Sequence, residues 1–345
     1  MTELLRSQIH KIEEIFQKKL PKKIAVAVSG GSDSLALTLI LDEFCRAKKI
    51  KFFALTVDHK MRKNSSNEAR KLGKILEKKK IHHEILEIPA KKIPQKNIEA
   101  NLREARYELL HNFCEKNKIE FLFLGHHLGD VAENFLIRLF RGSGLDGLSA
   151  MAEILEYKKI KLVRPLLNVE KDELKSFLRA KKVKWFEDET NMNEKFLRNK
   201  IRNFFETFAE KNLIEKRIKK TADEISEMRD FFDSIMLDSA KECVELKAGM
   251  IFTIVPKKFA KLNEKIALKI LALILMEVSG DIYKPRLENL KNLYDYLLKN
   301  NAKKPRDFYG CEVKKFDEKS IAIMSKKTSK PAKHLHTILK KIFNS

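Results

Sequence analysis

Ser29-Gly30-Gly31-Ser32-Asp33-Ser34 gathers three hydroxyls, two glycines and a carboxylate into six consecutive residues. An apolar, β-branched-rich run at 24–28 precedes them and a second apolar run at 35–41 follows. The first run predicts a buried parallel strand and the second a helix. Strand, glycine turn, helix is the layout of a phosphate site. Glycines let backbone N–H groups approach a ligand without a Cβ in the way, and the helix N-terminus adds partial positive charge. Ser29, Ser32 and Ser34 can donate to phosphate oxygens, and Asp33 is placed to hold Mg²⁺ beside them. The plain alternative is a Ser/Gly turn that only joins strand to helix.

A second constellation is His126-His127-Leu128-Gly129-Asp130 with Glu133. If Asp130 opens a helix, Asp130 and Glu133 stand at i and i+3 on one face, suited to gripping a substrate amine or Mg²⁺. His126, in the preceding turn, could relay a proton or polarise a phosphate. A zinc reading lacks the HExxH spacing, and a capping reading needs no ligand at all. Arg103, Arg106 and Tyr107 share another stretch, from which Arg106 could reach an anionic group. Arg138 and Arg141 precede Gly142-Ser143-Gly144-Leu145-Asp146-Gly147, expected to be a flexible loop that closes over a substrate or accepts RNA backbone, or else a connector. Trp185-Phe186-Glu187-Asp188, followed by Arg198-Asn199-Lys200-Ile201-Arg202, could position nucleotide phosphates and an unstacked base.

The elements that must carry these groups follow from the apolar rhythm. A helix is expected over 4–20, ended by Pro21, and strands at 24–28, 52–57, 84–88, 121–124 and 160–163. Helices are expected at 35–41, 65–79, 97–117, from 130 to about 140, and at 169–181. This alternation predicts an α/β fold with a doubly wound parallel sheet, in which ligands sit beyond the carboxyl ends of the strands. The glycine loop, Asp58-His59 and the stretch 125–130 all fall at such ends, which argues for one shared site. Beyond about 207 the chain reads as mainly helical (212–246, 263–278, 285–299), with a strand at 250–255 and a hairpin over 309–324 as a small α+β part. Two domains are expected, 1–206 and 207–345.

Lys and Arg total 71 against 48 Asp and Glu, a formal charge of +23, and so basic a chain attracts polyanions, RNA first among them. A general lysine bias would give the same surplus. The hydrophobic fraction of 43% supports ordinary folded cores. The four cysteines are far apart with no CxxC pair, which suits a reducing cytosol better than a disulfide framework or zinc ribbon. No run reaches the ~18 apolar residues of a membrane span, and the N-terminus lacks a secretory signal's apolar core. The expectation is a cytoplasmic protein without a membrane partner; a homodimer is compatible with these readings.

No Lys follows the glycines as a Walker loop requires, and the GxGxxG spacing of a dinucleotide loop is absent. The loop instead resembles the SGGxDS pyrophosphate loop of the N-type ATP pyrophosphatases, which split ATP between its α and β phosphates. Taken together, Ser29 to Ser34, Val57-Asp58-His59 with Arg62, Glu99-Ala100 with Arg103, Ala105-Arg106-Tyr107, Gly125-His126-His127 with Asp130 and Glu133, Arg164-Pro165-Leu166, and Glu187-Asp188 with Arg198-Asn199 resemble the tRNA(Ile)-lysidine synthases. The match runs over roughly 20–205 and departs at Asn134, where that family usually has Thr. The resemblance implies an adenine nucleotide α-hydrolase-like domain and an abbreviated tRNA-binding C-terminal region. It implies ATP and Mg²⁺ as cofactors, and L-lysine and a CAU-anticodon isoleucine tRNA as substrates. Lysine would be joined to C2 of the wobble cytidine through an adenylated cytidine, with pyrophosphate and AMP released. On this analogy Ser29, Gly30, Gly31, Ser32, Asp33, Ser34, Asp58 and His59 hold ATP, and Asp33 holds the metal. Asp33, His126, Asp130 and Glu133 are catalytic. Asp130 and Glu133 take the lysine amine, Arg106 its carboxylate, and Arg138, Arg141, Arg198 and Arg202 touch tRNA or nucleotide. A tRNA thiolation enzyme, a synthetase acting on free metabolites and a non-enzymatic RNA-binding protein are the competing readings.

Overall fold

The computed structural model describes residues 2–17, 19–58, 65–88, 98–186, 197–248, 250–281, 284–300 and 304–326. The chain divides into two compact units, Met1–Ser226 and Glu227–Ser345.

The first unit is built on a six-stranded sheet with β1 (Lys23–Ala27) inside it. On one side of β1 lie β2 (Lys51–Asp58) and then β3 (His83–Glu87); on the other lie β4 (Phe121–Leu124), β6 (Ile160–Val163) and, at the edge, β5 (Ile154–Tyr157). All pairings are parallel except β5 against β6. The apolar rhythm of the sequence predicts no strand at β5. Its residues are largely exposed, so no buried face marks them as a strand, and Lys158 closes the hairpin with a left-handed φ of 55°.

Side chains alternate across the sheet as strand geometry demands. Ile24, Val26 and Val28 join one core with Leu5 and Ile12 of α1 (Glu3–Ile15), Leu37 and Phe44 of α2 (Ser32–Lys48), Leu72 and Leu76 of α3 (Ser65–Lys78), and Leu174 and Phe177 of α7 (Lys171–Ala180). Ala25 and Ala27 face the opposite core, with Leu110 and Cys114 of α4 (Ile98–Lys116). Helices therefore cover both faces, as a parallel sheet requires. A smaller cluster, Ala132, Ile201 and Phe205, packs α5 (Leu128–Phe140) on α8 (Leu197–Glu206). The glycine segment after α5 contains a short helical turn, α6 (Leu145–Leu148), where the sequence suggested only loop. The region expected as one or two helices from 212 is a single helix, α9 (Lys211–Cys243), and the unit boundary falls within it.

The second unit holds an antiparallel sheet in the order β7 (Val244–Lys247), β8 (Ile251–Ile254), β11 (Ile321–Ser325), β10 (Cys311–Lys315), β9 (Arg306–Phe308). Between β8 and β9 come α10 (Pro256–Phe259), α11 (Glu264–Ser279) and α12 (Leu287–Asn300), whose Phe259, Leu271, Ile274 and Leu297 share a core with Phe252, Val313 and Ile323. The expected hairpin is β10–β11, turned by Asp317, whose Oδ1 accepts the N–H groups of Lys319 (2.8 Å) and Ser320 (2.7 Å). Among the described residues no helix is long and apolar enough to cross a membrane.

The chain leaves β1 towards β2 and β3, then returns past β1 to form β4. The loops after β1 and β4 therefore part in opposite directions and leave a crevice between neighbouring strands. Gly125, directly after β4, closes on the first turn of α2. A Cβ at Gly125 would stand 2.8 Å from Ser34 Cα and 2.9 Å from Ser34 N, so only glycine permits the approach. Gly125→Ala is expected to cost about 1–3 kcal/mol through this overlap, measured by urea denaturation. An unchanged midpoint would mean that the two turns are not in contact.

Candidate active site

The loop after β1 is set by its own hydrogen bonds. Gly30 has a φ of 90°, a conformation L side chains avoid, and its carbonyl accepts the Phe186 N–H at 2.9 Å. Ser34 Oγ donates to the Gly31 carbonyl (3.2 Å), accepts the Ser29 N–H (3.1 Å) and lies 3.2 Å from Ser29 Oγ. Ser32 Oγ donates to Asp33 Oδ1 at 2.8 Å. α2 starts on Gly31 with no side chain capping it, which leaves its N-terminal dipole open for an anion. Asp58 is buried at the carboxyl end of β2. His59, Arg62 and the segment 187–196 lie outside the described residues.

Across the crevice, α5 begins with a capping box. Asp130 Oδ2 accepts the His127 N–H at 3.1 Å, and His127 Nδ1 accepts the Gly129 N–H at 3.0 Å. The capping reading therefore holds for His127 and Asp130, and it has a consequence for the other ring nitrogen. His127 Nε2 stands 3.7 Å from Asp33 Oδ2 and 3.6 Å from Asp130 Oδ2, between the loop and the helix. The sequence places His127 in the constellation and allows it a capping part, while the proton or phosphate role is expected of His126. Capping-box spacing, a side-chain acceptor with an acid three residues on, is the local signal for that part.

Glu133 lies one turn further along α5, 6% exposed. Its Oε1 accepts Arg202 Nε at 2.5 Å, and its Oε2 is 3.4 Å from Arg198 Nε. Arg202 Nη2 also lies 4.0 Å from Asp130 Oδ1. The two arginines read from the sequence as RNA or nucleotide contacts thus turn from α8 onto the carboxylate pair. Burial pushes the Glu133 carboxyl up, and the neighbouring Asp130 adds to this while Arg202 and Arg198 pull it back. Burial also works against Asp130. The two histidine rings, the His127 N–H and Arg198 outweigh it and hold that carboxyl below its ordinary value. Burial opposes the charge of Arg202, yet Glu133, Asp130 and Asp33 together hold its pKa above the ordinary one.

His126 lies within the fields of Asp130 and of three arginines. Its Nδ1 is buried with no hydrogen-bond partner among the described residues. Burial drives its pKa down to about 4; Asp130 opposes the shift, and Arg164, Arg106 and Arg103 add to it. Arg103 lies over the Tyr107 ring at 5.3 Å, and Tyr107 is bonded to the buried Arg164, whose Nη1 donates to the Ala152 carbonyl at 2.7 Å. Burial lowers the pKa of Arg106, with Arg103 adding to the effect. Arg138 Nη1 donates to the Gly147 carbonyl at 2.7 Å and so ties α5 to the glycine segment, while Arg141 is the exposed C-cap of α5.

Among the described residues no group of three or more His, Cys, Asp or Glu is arranged to cage a metal. A Mg²⁺ that travels with phosphates needs only one or two protein carboxylates. Asp33, partly exposed at the uncapped turn, fits that requirement.

Residues 4–207 match the PP-loop domain, an ATP-binding family. The tRNA(Ile)-lysidine synthase of Orientia tsutsugamushi (strain Boryong) is 32% identical over 313 residues, covering 88% of this chain and 70% of that protein. That of Wolbachia pipientis wMel is 30% identical over 302 residues, covering 87% of this chain and 70% of its own. Among solved structures, the U34-tRNA thiolase NcsA from Methanococcus maripaludis, with its 4Fe-4S cluster, superposes with a TM-score of 0.54 at 19% identity. It covers 65% of this chain and 80% of its own, a likeness of fold.

The His126 environment sets a pH test. Its folded pKa of about 4 lies below the ordinary 6.5, so the unfolded chain binds the proton first as pH falls. The stability that goes with neutral His126 is therefore present above pH 6.5 and lost between about 6.5 and 4. The loss is on the order of 3 kcal/mol. Denaturation curves against pH are expected to be flatter for His126→Gln than for wild type across that window. Parallel curves would show that the ring is solvated.

Proposed function

The chain belongs to the tRNA(Ile)-lysidine synthase family of PP-loop enzymes, and from that premise we propose that it joins L-lysine to the wobble cytidine of a CAU-anticodon isoleucine tRNA. The observation that carries the reading is the meeting, at one crevice, of an uncapped glycine turn and a carboxylate pair, Glu133 buried and Asp130 partly buried. In the first step the cytosine O2 attacks the ATP α-phosphorus and pyrophosphate leaves, giving an adenylated cytidine. In the second, the lysine ε-amine attacks C2, loses a proton and expels AMP.

The hydroxyls and N–H groups of 29–34 hold the ATP phosphates, with Asp58 at the neighbouring strand end. Mg²⁺ held by Asp33 would neutralise phosphate charge when bound. Asp130 and Glu133 take the lysine amine. Arg198 and Arg202 balance the two carboxylates and give way in part to the incoming ammonium. Glu133, raised by burial, is the better suited to accept the proton the amine must lose. Arg106 binds the lysine carboxylate, and His126, kept neutral by burial with nearby arginines adding to it, can donate a hydrogen bond without adding charge. Arg138 and Arg141, exposed at the end of α5, and the +23 chain charge suit an RNA backbone. Thiol chemistry is poorly served. All four cysteines are buried, and burial pushes Cys45, Cys114 and Cys311 up to about 12 and Cys243 to about 11.

The test supplies ATP, Mg²⁺, radiolabelled lysine and the CAU-anticodon tRNA, and counts label in RNA. Stable incorporation that disappears when the wobble cytidine is changed is expected. Asp33→Ala and Glu133→Gln are each expected to lower it by about 100-fold or more. Unlabelled RNA from the wild-type chain, with tRNA-dependent pyrophosphate release intact, would assign the site to a different nucleophile.

A further inference from the structure

We propose that His127 is a positioning residue that links the nucleotide loop to the amine-binding helix, its Nε2–H serving Asp33 and Asp130 in turn. The inference rests on the functional reading above for what each carboxylate binds, but its geometry stands without it. The Gly129 N–H points at Nδ1, 3.0 Å away, so Nδ1 must be the acceptor and the neutral ring carries its single proton on Nε2. That nitrogen lies at nearly equal distances, 3.7 and 3.6 Å, from one oxygen of Asp33 and one of Asp130. Both separations exceed a hydrogen bond, so without substrates neither carboxylate holds the proton, and a movement of under about 1 Å commits it to either one.

The ring itself is fixed. Its side chain is 7% exposed and its main-chain N–H is bound to Asp130. Its Cε1 edge also borders the space where Glu215 Oε1 lies, since a Cβ on Gly129 would be 2.8 Å from the one and 3.2 Å from the other. A buried ring anchored through Nδ1, with one donor facing two carboxylates, transmits displacement. Whichever carboxylate a substrate engages, the other is the one His127 steadies, so neither half of the site can shift alone.

Two measurements test this. Histidine ¹⁵N resonances of the wild-type protein, recorded well above the ordinary histidine pKa, are expected to show His127 with Nε2 protonated. An Nδ1-protonated or averaging ring overturns the proposal whatever the enzyme's activity, which separates it from the functional reading. His127→Asn keeps an acceptor at the helix cap but has no distal donor, whereas His127→Ala loses both. The Asn variant is expected to melt with wild type while KM for ATP and for lysine both rise by about 10- to 100-fold; the Ala variant also melts earlier. Wild-type kinetics in His127→Asn would reduce the ring to a cap, and a rise confined to one substrate would exclude the link. Should either variant fail to fold, the resonance assignment still decides.

Discussion

The close approach of Gly125 to the backbone of Ser34 makes two strand ends into one site. A parallel sheet brings the carboxyl ends of β1 and β4 side by side, but strand spacing alone leaves room for ordinary side chains between their loops. Removing the Cβ lets the turn after β4 rest on the first turn of α2. From that contact follow the position of α5, the capping box that starts it, and the placing of Asp130 and His127 opposite Asp33.

Charge balance is the second constraint. Asp33, Asp130 and Glu133 crowd into a partly desolvated crevice, where unpaired carboxylates would be expensive. The opposing charge comes from α8, whose Arg198 and Arg202 reach Glu133 and extend towards Asp130. Those arginines are held in place by Ile201 and Phe205, which pack against Ala132 on α5, so a small apolar contact sets the geometry of an ionic one. The backbone at His127 is extended (φ −122°, ψ −178°), so consecutive side chains leave on opposite sides. His127 stands between two carboxylates, whereas His126, driven by burial to a pKa of about 4, has Asp130 pulling against that shift and Arg164, Arg106 and Arg103 adding to it.

Much of this was legible in the residues. The apolar runs located β1, β2, β4 and β6 because buried parallel strands carry little else. The six residues 29–34 marked the turn between β1 and α2, because glycines and short hydroxyl side chains suit a tight strand-to-helix turn. What escaped the reading depends on contacts far apart in the chain. β5, β7 and β9 are edge or near-edge strands three or four residues long, whose exposed positions leave no periodic mark. The partner of Arg202 is 69 residues away, so nothing local distinguishes an inward-turned guanidinium from an RNA-facing one. His127 and His126 are indistinguishable by type, and only the backbone direction at the end of β4 separates their roles.

The proposed reading has the glycine turn hold ATP and the carboxylate helix hold lysine in one reaction, with cleavage at the ATP α-phosphorus. The direct measurement is to supply ATP, tRNA and lysine and to resolve every nucleotide and phosphate product. The account predicts AMP and pyrophosphate in equal amounts, one of each for every lysine joined to RNA. ADP and inorganic phosphate as the tRNA-dependent products would contradict it, because attack would then fall at the γ-phosphorus and the turn after β1 would be holding the wrong end of the nucleotide.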